Sequence, residues 1–231
     1  MSSIDKTSIT RRFVRFIVCI AVLGVAAITT HGQDAQWTSV AADNGREVVA
    51  YEGSRIIVPA IRKDAKLKVI YSTLSDYKYA TYFCCVGMGV SGPNSQFRTH
   101  WYGIPFTPST NVKLTKVEAA IRWESGSNSF AISLAADSGG LPGGTLAGPV
   151  DVYNVPSGGG CCELAVAKFK SVPLEKGTQY WVIVGTDSNS ENAAGAWFLN
   201  TTDMRRLPFA MYSGNWQSIQ GVLPAVGVFG K

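Results

Sequence analysis

Glycine-rich breaks constrain this chain more than any other feature. Ser138-Gly139-Gly140-Leu141-Pro142-Gly143-Gly144 and Pro156-Ser157-Gly158-Gly159-Gly160 read as loops, because glycine there supplies backbone freedom that regular structure does not reward. Glu175-Lys176-Gly177 reads as a tight turn, residues 187–192 as a polar connection and Gly214-Asn215 as a smaller one. The pieces between them have the length of strands. Phe130, Ile132 and Leu134 alternate with Ser129, Ala131 and Ser133, which predicts a half-buried strand. Residues 180–184 are apolar throughout, as in a strand covered on both faces. Val117, Ala119 and Ile121 alternate too, with Val112 and Leu114 out of phase; a bulge near Thr115-Lys116 reconciles the two. Beyond residue 32 no apolar stripe of period 3.6 is long enough to demand a helix. Strands and turns at these intervals predict an all-β fold, an antiparallel β-sandwich of jelly-roll type over residues 67–231. The low charged fraction of 16% and the 24 glycines fit that architecture better than a helical bundle.

The first 32 residues have another character. Arg11, Arg12 and Arg15 lead into an uncharged apolar run over residues 16–28, and Thr29-Thr30-His31-Gly32 follows. A positive segment, a short apolar segment and small residues form the layout of a secretory signal peptide. The apolar run is shorter than the roughly 20 residues that span a bilayer. Residues 1–32 are therefore expected to be removed, through the general secretory route, leaving an extracytoplasmic protein, secreted or periplasmic, without a membrane span. Most of the +5 net charge leaves with Lys6, Arg11, Arg12 and Arg15. The sequence pI near 9.0 is thus no argument for nucleic acid, and no basic patch with interleaved aromatics follows. Residues 33–66 read as an N-terminal extension with short strand candidates at 48–51 and 56–58, bounded by Pro59 and the charged run 62–68.

Cys19 lies in the apolar run, which leaves Cys84, Cys85, Cys161 and Cys162. An even number in an exported protein predicts disulfides, with three possible connectivities. At least one link between the two pairs is expected, because adjacent Cα atoms about 3.8 Å apart are too close for an easy vicinal bridge. Zinc is disfavoured, since Cys-Cys lacks the usual ligand spacing.

Three runs carry a resemblance: "IPFTPSTNVKLTKVEAAIRWESGSNSFAISLAADSGGLPGG", "GCCELAVAKFKSVPLEKGTQYWVIVGTD" and "AAGAWFLN". In this order they are similar to the choice-of-anchor domains of bacterial exported proteins, the R-type in particular. The resemblance covers about residue 71 to the end and implies a secreted β-sandwich without a known biochemical activity, commonly delivered to the cell surface by a C-terminal sorting signal. Here Leu223-Pro224-Ala225-Val226-Gly227 has only the outline of a sortase signal, with Val226 before the glycine, and no apolar tail follows. A released or periplasmic protein is expected instead.

Catalysis has little to stand on. His100 is the only histidine after the signal segment, and neither Gly-x-Ser-x-Gly nor His-Glu-x-x-His occurs. A two-carboxylate glycosidase is the weakest reading, because Glu118, Glu124, Asp137, Asp151 and Glu163 sit where solvated carboxylates are the default. Around Asp137, turn chemistry explains the loop better than calcium does. The stronger hint is aromatic. Trp123 and Trp181 lie in apolar strands and are expected to fill the sandwich, whereas Trp101 with Tyr102, and Trp216 beside Gly214-Asn215, are the candidates for ligand contact. Asn200-Thr201-Thr202 is a glycosylation sequon. The sequence thus predicts a non-catalytic binding or surface-interaction module without a cofactor, its partner a glycan or extracellular polymer. A carbohydrate-binding module and a structural matrix protein are the rival forms.

Overall fold

The structure, a computed structural model, describes residues 37–41, 47–51, 55–59, 67–74, 79–157 and 164–231. Through residue 59, and at 79–81, 84 and 85, it describes the backbone alone. The signal segment lies outside these residues. So do Cys161, Cys162 and the side chains of Cys84 and Cys85, and with them the disulfide expectation. All described residues belong to one compact unit, Ala35–Lys231.

Among the described residues every regular element is a strand. In chain order these are β1 Trp37–Ala41, β2 Glu47–Tyr51, β3 Arg55–Pro59, β4 Lys68–Ser72, β5 Tyr79–Ser91, β6 Trp101–Phe106, β7 Val112–Ala119 and β8 Ile121–Ser125. There follow β9 Ser129–Asp137, β10 Pro142–Tyr153, β11 Ala165–Leu174, β12 Tyr180–Gly185, β13 Ala194–Asn200, β14 Leu207–Tyr212, β15 Trp216–Gly221 and β16 Val226–Gly230. All pair antiparallel in open sheets, and the fold is a β-sandwich. One layer is a six-stranded sheet of order β10-β9-β12-β6-β14-β15. The other combines β11-β7-β16-β4 with β3-β5-β13-β8, which meet where Phe198 N–H donates to Ala120 O at 2.8 Å and Ala225 N–H to Phe198 O at 2.7 Å. β1 and β2 form a separate pair.

Between the layers lies one core. Tyr102, Ile104, Phe130, Ile132, Leu134, Val182, Val184 and Phe209 enter it from the six-stranded sheet, and Leu114, Val117, Trp197 and Val228 from the facing layer. The period-2 projection of side chains puts them there. Leu114 and Val117 share this face because the β7–β16 ladder slips between Phe229 and Gly230, opposite Lys116 and Leu114. Thr115 is the extra residue, so the bulge falls where the phase change predicted it.

Other expectations are corrected. β3 falls within the supposed extension yet pairs with the first half of β5, so the sheet begins before residue 67. β9 is covered on both faces for most of its length, not half-buried. Its outward residues are small, and Ala135 lies against the Trp181 ring. The expected loop at 138–144 is shorter, because β10 already starts at Pro142 and reaches its regular register through successive irregularities. Glu118 is not solvated: it is buried and ion-paired with Lys116 at 2.8 Å. Glu124 is half-buried and pairs with Arg122.

Candidate functional site

The outer face of the six-stranded sheet gathers four aromatic residues that do not enter the main core, Trp101, Trp181, Tyr212 and Trp216. Tyr212 is register partner both of Trp101 on β6 and of Trp216 on β15. Directly opposed residues share a face, so Trp216, Tyr212 and Trp101 form one row across three strands. Trp101 stacks on Tyr212 with ring centroids 4.7 Å apart and planes 16° apart, and Tyr212 meets Trp216 edge-on at 5.3 Å and 61°. Each such pair contributes about 0.5–1.5 kcal/mol beyond burial. All three residues are half-buried, with part of each left at water.

Glycine makes the row possible. A Cβ at Gly185 on β12 would lie 2.6 Å from Trp101 Cγ, so the bare backbone is the bed on which this ring rests. Trp101 Nε1 donates to Thr186 Oγ1 at 3.1 Å, which fixes its tilt. One face of Trp101 therefore meets Gly185 and the other Tyr212. At the far end Trp216 stands on the edge strand. Among the described residues Tyr212 is its one ring partner, and no hydrogen bond engages its indole N–H.

Tyr102 does not belong to this site. It is 0% exposed and faces the core, the necessary result of following Trp101 in a strand. Its place in the row is taken by Tyr212, which the sequence reading missed. The signal for Tyr212 was its position at the β14–β15 turn opposite Trp216, but its meeting with Trp101 requires the register of β14 on β6. Trp181 departs from expectation as well. It is buried, at 2% exposure, but on the outer face in a small second cluster with Ala135 and Ala210, not inside the sandwich. Its ring approaches the Cβ position of Gly103 at 3.3 Å beside Pro142 at 3.0 Å, so the β9–β10 hairpin reaches over this part of the sheet. Trp123 is half-buried against the core and Trp197 is wholly within it, donating to Ala225 O at 2.9 Å.

Polar groups sit at both ends of this face, Asp137 beside Gln179 where β12 begins and Asp187 just past Gly185 where it ends. Asp137 accepts from Trp181 Nε1 at 2.8 Å, from Gln179 Nε2 at 2.6 Å and from Gly140 N–H at 3.1 Å. The Trp181 bond first, then those from Gly140 and Gln179, hold its carboxyl below the usual carboxylate range. With both oxygens occupied, Asp137 is a turn brace, as turn chemistry predicted. The second group begins just past Thr186. Asp187 accepts from Asn189 N–H and Ser190 Oγ, each at 2.9 Å. Partial burial opposes its charge, but hydrogen bonding, from Asn189 and Ser190 among others, outweighs burial and lowers its pKa. Asp151 Oδ2 accepts from Tyr153 Oη at 2.8 Å and Asn189 Nδ2 at 3.3 Å. That first bond raises the Tyr153 phenol.

The remaining candidates take structural places. His100 Nδ1 lies 2.8 Å from Arg98 O, and its backbone bridges Ser91. Asn200 of the sequon is 0% exposed, with Nδ2 donating to Leu223 O at 2.6 Å and Oδ1 accepting from Thr202 N–H and Asp203 N–H. A glycan cannot be accommodated on that nitrogen in the folded chain. Leu223, Ala225 and Val226 of the sortase-like run are buried, so that run is core structure. No three of His, Cys, Asp and Glu come together among the described residues in a way that could hold a metal ion. No helix there is long and apolar enough to cross a membrane. Comparison with protein-family models, curated proteins and solved structures gave no significant match.

Proposed function

We propose that this chain is an exported, non-catalytic binding module whose ligand is a glycan or extracellular polymer held on the outer face of the six-stranded sheet. The observation that carries the reading is the partly exposed row Trp101–Tyr212–Trp216, with Trp216 at its open end on the edge strand. A folded sheet gains little stability by leaving large rings at water, and Trp and Tyr offer an apolar body with a polar tip, which suits sugar rings. The layout of residues 1–32 supports export, and the resemblance to choice-of-anchor domains supports a surface or extracellular role. The aromatic row, and not the fold, supports this reading, because sandwich folds host many unrelated activities.

The test is a glycan array probed with the chain lacking residues 1–32, wild type and Trp216→Ala. Specific binding that falls about tenfold or more in Trp216→Ala is the expected result. Silence across the array would overturn the reading in favour of a structural matrix protein. Turnover of a bound glycan, lost with one Asp or Glu, would overturn its non-catalytic part.

A further inference from the structure

We infer that the edge strand β15 is a homodimer interface, along which two copies of this chain pair antiparallel and join their six-stranded sheets into one. An open sheet presents unpaired N–H and C=O groups along its outer strands, and folded proteins blunt them with charge, proline, irregular pairing or a covering segment. Leaving aside the separate β1–β2 pair, the sandwich ends on six such strands among the described residues. Five of them are blunted. β10 carries Pro142 and Pro149, and its ladder is irregular in three places. β11 carries Lys168, Lys170 and Pro173 and slips between Lys168 and Val172. β4 begins at Lys68 and pairs irregularly with β16. β3 starts at Arg55 and stops at Pro59. β8 holds Arg122 and Glu124, and its Trp123 N–H already donates to Pro156 O at 2.9 Å.

β15 has none of these devices. Its sequence, Trp-Gln-Ser-Ile-Gln-Gly, contains no charge and no proline. Its ladder with β14 runs without a slip from Leu207 opposite Gly221 to Tyr212 opposite Trp216. Among the described residues no backbone hydrogen bond joins β15 to anything but β14. Such an edge is regular, uncharged and open, the form on which a further strand can be added.

The occupant that fits is the same strand of a second copy. A two-fold axis perpendicular to the sheet reverses strand direction and keeps each face on its own side, so β15 meets β15 antiparallel. Opposed residues share a face, and the axis therefore centres on one residue. At Ser218 it sets Ser218 against its own copy, Gln217 against the partner's Ile219 and Trp216 against the partner's Gln220. No charges oppose each other, and Ser218 and Gln220 are exposed and free to meet. The Trp216 indole N–H, which no hydrogen bond engages among the described residues, gains an acceptor in the partner's Gln220. A foreign peptide would take its specificity from pockets beside the edge, whereas this edge offers its own small polar side chains. Self-pairing also closes. With one open edge per sandwich, association stops at two copies instead of growing into a fibre. Both outer faces then lie on one side, with each Trp216 at the seam. The pairing needs no ligand, so it is independent of the glycan reading.

A single strand edge is a small interface, so the association should depend on concentration. Sedimentation of the chain lacking residues 1–32, from about 1 to 100 μM, should show a species of twice the monomer mass at the upper end. Ser218→Lys and Ser218→Glu each place like charges opposite one another across the axis and should weaken the dimer about fivefold at low salt. Mixing the two variants should restore it, because Lys then faces Glu. Hydrogen exchange on the wild type needs no variant: amides of β15 should gain protection between the low and the high concentration, and those of β10 and β11 should not. A monomer at every concentration would overturn the inference. So would a dimer indifferent to both substitutions, a mixture no more associated than its parts, or protection gained on another edge. Species larger than two copies would overturn the closure.

Discussion

The two faces of the six-stranded sheet are both largely apolar, yet they are built from different residues. Its inner face carries Ile104, Ile132, Leu134, Val182 and Val184, branched side chains that interlock with the facing layer and see almost no water. Its outer face carries Gly103, Gly185, Ala131, Ala135 and Ala210 as a floor, with Trp101, Trp181, Tyr212 and Trp216 laid upon it. Hydrophobicity alone does not separate them. What differs is that the outer rings have polar tips and incomplete cover, while the inner aliphatic groups have neither. A sheet that must bury one face needs shape complementarity there, and it is free to use the other for recognition.

The sharpest way to break this comparison is to cut the inner face. Phe130 is wholly buried in the sandwich. Phe130→Ala should cost about 3–5 kcal/mol, read as a lower denaturation midpoint at unchanged slope. Against a total stability of about 5–15 kcal/mol, that leaves a marginal domain. A loss below about 1 kcal/mol would mean that the inner face is not the stabilising one.

On the outer face the comparable lesion is an insertion. Gly185→Val places a branched side chain where Trp101 now rests, only 2.6 Å from the Cβ position. The ring must swing away, at a cost of about 1–3 kcal/mol, giving up its Tyr212 stacking. Near-ultraviolet circular dichroism should lose the coupled Trp–Tyr signal while the far-ultraviolet strand spectrum persists. An unchanged aromatic spectrum would show that Trp101 does not depend on this bed.

This division between faces also marks how far the sequence could be read. Alternation and glycine breaks are local properties, so β9, β12 and the bulge at Thr115 were legible from residue order alone. The second covering of β9 was not, because it depends on Trp181 and Pro142, which reach the same patch from different strands. Tyr212 escaped for the same reason: its link to Trp101 exists only in the register of β14 on β6. β3 was legible as a strand but not as a member of a sheet, since its partner β5 lies beyond the charged run 62–68. Glu118 looked like a surface carboxylate until the outward side of β7 placed Lys116 beside it. Local chemistry was readable throughout; what two distant strands share was not.

Tyr102 supplies the smallest effect and the finest discrimination. It follows Trp101 in the chain and lies on the inner face, 0% exposed, against Phe209 with ring centroids 6.2 Å apart. Burial pushes its phenol well above the ordinary tyrosine range, and its hydroxyl finds no hydrogen-bond partner. A buried hydroxyl left unpaired costs about 1–3 kcal/mol in desolvation, and removing it leaves the ring packing in place. Tyr102→Phe should therefore be neutral or stabilising, by up to about 1 kcal/mol, and should leave ligand affinity unchanged. Trp101→Phe, one residue away, should weaken binding with little change in core stability. Loss of binding in Tyr102→Phe with stability intact would put the ligand on the inner side, and the assignment of faces would be wrong.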